Sequence, residues 1–394
     1  MAQKLMAYHT VEEQHRSALE PVHGLAHIIE STDLVEESSV DAAQSTTSRK
    51  HLLLFGGLGV LSLFAFLLSL SWSSVPIPIL QVLAALVGGE VERESWRTIV
   101  MDIRLPRVLT AIAVGIGLGL SGLQMQTLFR NPLASPFTLG VTSGASLGVA
   151  LVVIVGSPWA AVTVGYGALG GGLLGNLGTV AGAALGAFAV LVIMLAVAAR
   201  VQDMTTVLLL GVVIGALVSA VVTVLVYFAD EQRTREFVEW GFGSFHKVRW
   251  DEIPFFLTVV GVGAVIATFA TKYLNALLLG ENYAQSMGLN IKRARLIIMS
   301  SAALMAGAVV AYAGPIGFLG IAIPHLARGL FGTSDHRILV PASVWIGIVL
   351  ALACGILAEM PSSSLNLPIN AATSLFGAPV ALWVLLRARR GGWL

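Results

Sequence analysis

The chain has 394 residues, of which 56% are hydrophobic and only 11% charged, and its mean hydropathy is +0.85. A soluble domain carries roughly 25% charged residues, so this composition excludes a water-soluble globular protein. The apolar runs are continuous rather than alternating, which points to membrane-spanning helices. A formal net charge of +1 gives no pull towards nucleic acid, and the one cysteine, Cys354, leaves no intrachain disulfide.

Residues 1–48 stand apart. They hold eight acidic and two basic side chains and end in SSVDAAQSTTS, the composition of a flexible polar tail. The first apolar run begins only at Leu52, so no cleavable signal peptide is expected. His23 and His27 lie four residues apart with His15 and Glu20 upstream, but Pro21 and Gly24 oppose the helix that would gather them around a metal.

A helix needs roughly 20 apolar residues to cross the hydrocarbon core. Leu52–Leu70 and Val108–Leu128 are the first two candidates, the second starting straight after RLPR. Residues 131–199 lack any charge and accommodate two spans around a glycine-rich connection. Thr206–Phe228 and Ile253–Thr271 follow, and Leu296–Phe331 divides at AGPIG into a full helix and a shorter one. Ile338–Ala358 and Asn370–Leu386 bring the expectation to about ten spans. RNPLASPFTLG after the second span and AGPIGFLG after the seventh are both Gly/Pro-broken, on opposite sides of the membrane, as inverted repeats would be.

An even number of spans puts both termini on one side. Basic loop residues, among them Arg49, Lys50, Arg130, Arg200, Lys292 and Arg293, gather on that side, opposed outside the tail only by Asp203, Glu281 and Asp335. The positive-inside rule assigns that side to the cytoplasm. One cytoplasmic stretch is unusual. In LLLGENYAQSMGLNIKRAR, Glu281, Asn282, Gln285 and Ser286 make a short polar helix between Gly280 and Gly288, flanked by two long apolar blocks.

The span centres carry no ionisable residue of the kind that couples transport to protons or sodium. Gln124, Gln126, Asn131 and His325 are polar but lie towards span ends. None of the lysines follows a glycine, so there is no phosphate-binding loop. A chain that neither binds nucleotide nor uses an ion gradient needs a docked partner to drive it. The alternative is a stand-alone secondary transporter or channel, which would work in liposomes without any ATPase.

RLPRVLTAIAVGIGLGLSGLQMQTLFRNPLASPFTLGVTSGASLG, LLLGENYAQSMGLN, AGPIGFLGIAIPHLARGLFGTSDHR and LPINAATSLFGAPVALWVLL, in this order over residues 50–390, closely resemble the FecCD-type permeases. These are the membrane subunits of type II ABC importers for iron–siderophore complexes, haem and cobalamin. The resemblance implies an all-α integral membrane protein of ten helices, paired with a second permease subunit, a homodimer in preference to a heterodimer. It implies two separate ATP-binding subunits that hold ATP and Mg, an extracytoplasmic substrate-binding protein, and the bacterial inner membrane. No enzymatic activity, cofactor or metal is expected in this chain.

The resemblance also implies roles. The permease domain is 49–394, and the glycine-bracketed helix within about 276–290 is the coupling helix that enters a cleft of the ATPase, with Gly280, Glu281, Ala284 and Gly288 on the family pattern. Arg104 and Arg107 match outer-face arginines that pair with carboxylates of the binding protein. Asn131, Leu133, Thr205 and Thr206 match an inner gate, and Gly211 and Gly215 suit close packing along a pathway at the dimer interface. Trp240 and Phe242 belong to a short outer helix that closes the pathway outwards. Two positions depart from the pattern: Glu359 stands where many members have arginine, and Asn366 where they have glutamate. Glu359 is expected at the docking mouth, facing a basic or polar group of the partner.

Overall fold

The computed structural model describes residues 49–73, 75–155, 173–201, 203–359 and 367–388. The tail with its histidines, most of the glycine-rich connection and Asn366 lie outside them. The chain divides into residues 1–57 and 58–394, and the described part of the first is helical.

Fourteen helices are described. They are α1 (Arg49–Ser71), α2 (Ile79–Leu86), α3 (Glu94–Leu128), α4 (Val141–Val155), α5 (Leu173–Arg200) and α6 (Met204–Tyr227). Then come α7 (Glu231–Gly241), α8 (Ile253–Phe269), α9 (Thr271–Leu278), α10 (Glu281–Ser286), α11 (Ile291–Ala313), α12 (Leu319–Phe331), α13 (His336–Ala358) and α14 (Ile369–Ala388). Six of them are long and apolar enough to cross a membrane, and α8 with α9, bent by 49°, makes a seventh. Shorter apolar helices, α4, α12 and part of α14, occupy the remaining expected places.

α3 starts fourteen residues before the expected Val108. RLPR reads as a break because proline cannot donate to the helix ladder. The turns before it absorb the defect: residues Ile99–Arg104 widen into a π-helix, and Pro106 sits at the head of the α-helical part.

α3 is the central element. Its apolar window is 83% buried, against 22% for that of α6, and it packs on α8, α11, α12 and α13. Glycine makes these approaches possible. A Cβ on Gly115 would lie 2.2 Å from the Gly347 carbonyl oxygen of α13, and one on Gly122 would lie 1.8 Å from the Gly320 oxygen of α12. α4 and α5 cross the same way at Gly144 against Gly186 and Gly148 against Gly182. Backbone cannot move aside as a side chain can, so Gly122→Val should force α3 and α12 apart and cost about 1–3 kcal/mol or more. Thermal melting in detergent should show a marked drop in midpoint, whereas Gly307→Ala, whose new methyl would meet only the Ala187 side chain at 3.8 Å, should melt like the wild type.

Candidate coupling, gate and docking sites

At one end of the bundle the chain leaves α9, turns at Gly280 (φ 112°), runs through α10 and turns again at Gly288 (φ 84°). Both values lie where glycine alone is unstrained. The Leu289 N–H closes onto the Ala284 carbonyl at 3.1 Å, satisfying a helix-end acceptor. Arg295 of α11 holds the Glu281 carboxylate with two nitrogens, at 2.6 and 3.2 Å. Arg130, after α3, donates to the Leu277 carbonyl at 2.8 Å. A polar helix of six residues is therefore fixed rigidly to the membrane part.

The two faces of α10 differ from the expectation. Ala284 is fully buried beneath the helix, and Glu281 is spent on Arg295. The outward face is Asn282, Tyr283, Gln285, Ser286 and Met287, with Tyr283 56% and Met287 54% exposed. Alternating small and large residues around a single helical turn gave no periodicity from which to read this.

Next to it lies the segment after α3. Arg130 takes a positive φ of 47°, and the Asn131 side-chain oxygen accepts the Leu133 N–H at 2.9 Å, an Asx turn. His325 Nε2 donates to the Pro132 carbonyl at 2.8 Å, tying the turn to α12. Asp203 caps α6 by accepting from the N–H groups of Thr205 and Thr206 and from the Thr206 hydroxyl at 2.6 Å. That hydroxyl, with the cap amides, holds the Asp203 carboxyl below its ordinary pKa. Thr205 and Thr206 are exposed at the mouth of α6.

Gly211 and Gly215 are buried within the chain itself, which corrects their expected place at a subunit interface. A Cβ on Gly211 would lie 2.6 Å from the Thr138 carbonyl oxygen, and one on Gly215 would lie 3.3 Å from the Ser143 hydroxyl. The opposite face of α6, with Val213, Leu217 and Val224, is the exposed one.

At the other end of the bundle Arg104 and Arg107 turn inward. Arg104 is only 2% exposed and donates to the carbonyls of Leu70 at 2.6 Å, Ser71 at 3.1 Å and Val75. Two of its partners are carbonyls of the last turn of α1, and the third belongs to the segment that follows it. Arg107 forms a buried ion pair with Glu359, whose carboxylate also meets His246 Nε2 at 3.1 Å. The acid at the family's arginine position is thus neutralised inside the chain and has no need of a basic partner. Burial opposes the charge on Glu359, but the hydrogen bond from His246 and the nearby Arg107 outweigh it, and its carboxyl stays below the ordinary value.

Arg107, His246, Glu359 and Phe242 line a cavity of 290 Å³ at this end, and Phe242 is 47% exposed. Trp240 is 6% exposed and belongs to the core. Asn370 binds the segment together, donating to the Gly241 carbonyl at 3.1 Å and the Pro315 carbonyl at 2.5 Å while accepting from the Gly317 N–H. Sequence reading gave no site role to Arg130, His246, Arg295 or Asn370, taking Arg130 only as an orienting charge and Asn370 only as the start of a span. Isolated polar residues at apolar borders were the only signal.

Glycine-locked helices long and apolar enough to cross a membrane, with a rigid polar knob at one end and a neutralised charge cluster at the other, are the build of a multi-pass membrane protein. The family model of the FecCD transport family matches residues 61–387, and the chain belongs to that family. It is 36% identical to the vitamin B12 import system permease protein BtuC of Klebsiella pneumoniae, over 90% of this chain and 100% of that one. It is also 36% identical to the hemin transport system permease protein HmuU of Yersinia pestis, over 73% and 83%. A solved inward-facing structure attributed to a metal-chelate type ABC transporter superposes with a TM-score of 0.72 at 28% identity, covering 85% of this chain and 99% of that one. The chain is the permease subunit of a type II ABC importer, and ATP hydrolysis resides in a separate subunit. The permease itself binds no cofactor.

Proposed function

We propose that this permease carries a bulky metal chelate, an iron–siderophore complex or a related haem or cobalamin, into the cytoplasm, with both termini and α10 on the cytoplasmic side. The observation that carries the coupling part is α10: a short helix locked by two positive-φ glycines and the Glu281–Arg295 pair, presenting Tyr283 and Met287 outwards. Such a knob suits insertion into a cleft of an ATPase subunit, because a rigid element transmits force that a loop would absorb. The likeness to a vitamin B12 permease and a hemin permease supports a large metal-centred ligand.

In this reading two permease subunits enclose the pathway, and the exposed uncharged face of α6 lines it, with Thr205, Thr206, Asn131 and Leu133 at its inner mouth. A charge-free wall lets a shielded complex pass without being held. Phe242 closes the outer side, over the binding protein's contact surface, and Arg104 and Arg107 act there by holding the end of α1 and Glu359 in place.

The test is to purify the permease with its ATPase subunits and binding protein, and identify the ligand that the binding protein retains. That ligand should contain a metal and should enter proteoliposomes only when ATP is present. A metal-free ligand overturns the substrate class. Uptake in liposomes lacking the ATPase overturns the coupling and favours a secondary transporter.

A further inference from the structure

We propose that Asn275, with His336 and Asp335, is the joint that passes movement of α10 to the segment after α3. The inference rests on the reading of α10 as the coupling helix and adds the residue through which it acts. Asn275 lies on α9, five positions before Gly280. Its amide nitrogen donates to the Asp335 carboxylate at 2.6 Å, and its amide oxygen accepts the His336 backbone N–H at 2.8 Å. The same oxygen lies 2.8 Å from His336 Nδ1. An amide oxygen only accepts, so Nδ1 carries the proton. Nε2 of the neutral ring then lies 2.8 Å from the Thr127 hydroxyl, whose one proton is shared between this nitrogen and the Leu123 carbonyl at 2.9 Å.

Thr127 stands one turn before Asn131 at the end of α3. Three elements therefore meet in one polar chain: α9, the start of α13 and the end of α3. His336 is fully buried and Thr127 is 5% exposed, so the inner link between them is shielded from water and costly to lose, while Asn275 and Asp335 are half-buried at its outer end. The Arg130 bond to the Leu277 carbonyl gives α9 a second grip on the same segment. With two attachments to the residues that flank Asn131, α9 cannot be displaced without carrying them along.

Asn275 is thus a positioning residue, and its effect belongs in coupling rather than in amount of protein. In assembled complexes of equal composition, Asn275→Ala should lower the ratio of substrate-stimulated to unstimulated ATP hydrolysis, and uptake per ATP, about tenfold, within the usual size of coupling between two sites. Asn275→Asp alone sets two carboxylates against each other and should be as poor. Combining Asn275→Asp with Asp335→Asn reverses the donor and acceptor: the new carboxylate accepts from His336 and from the new amide, at the cost of the Arg337 N–H cap, which shares the same Asp335 oxygen in the native chain. The pair should recover part of the ratio, since the joint is restored while the cap is not. A wild-type ratio in Asn275→Ala, or a double variant no better than Asn275→Asp, overturns the proposal. Normal coupling in Gly288→Trp would instead remove the coupling-helix reading and take this joint with it.

Discussion

Gly288→Trp should insert and assemble in normal amounts yet lose substrate-stimulated ATP hydrolysis almost entirely. The surroundings of Gly288 separate the two effects. A Cβ there would meet no atom of the chain within 4 Å, so the indole has room in the isolated permease and projects into the space beside α10 that an ATPase would fill. Its φ of 84° adds a backbone cost of roughly 1–2 kcal/mol for any L side chain. Gly288→Ala bears the same backbone cost without the bulk and should keep most of the stimulation. Wild-type stimulation by Gly288→Trp would remove α10 from the coupling role. Ala284 is the poorer probe: it is buried under α10, so enlarging it would dislodge the helix rather than block the partner.

Glu359→Arg should be strongly destabilising. The new cation would lie against Arg107 and near Arg104, both buried, leaving like charges without a counterion. Breaking a buried ion pair costs about 3–5 kcal/mol, and reversal adds repulsion. Melting in detergent should show little folded protein, and the combination with Arg107→Glu should recover part of it. An unchanged melting point for Glu359→Arg would show that the pair does not hold this end together. The Glu359 carboxyl is depressed in the folded chain. Its stabilisation is therefore present at neutral pH, above the unfolded value, and is lost only as pH falls through the depressed folded value. Mild acid alone should leave this end intact.

Glu359 shows where reading along the chain stops. An acid at a position where relatives carry arginine suggests an inverted contact with a partner. Folding brings it against Arg107, more than 250 residues away in sequence, and the charge is cancelled internally. The same holds for Gly211 and Gly215: small residues on an apolar helix announce a close approach, but only packing tells whether the other side is a second subunit or, as here, the chain's own Thr138 and Ser143.

The sequence by itself determined that this is a helical membrane protein, where its apolar segments lie, that two of them follow Gly/Pro breaks, and that glycines bracket a polar helix among basic residues. Those features are local: hydropathy, proline's missing donor and glycine's access to positive φ act within a few residues. Tertiary structure decided which glycines face backbone, which side of α10 is outward, and how Arg104, Arg107 and Glu359 are spent. It also decided that Asn275 meets His336. Each of these depends on a partner from a distant segment. A buried polar group must find one wherever folding brings a donor or acceptor within about 3 Å, and no periodicity along the chain records where that will be.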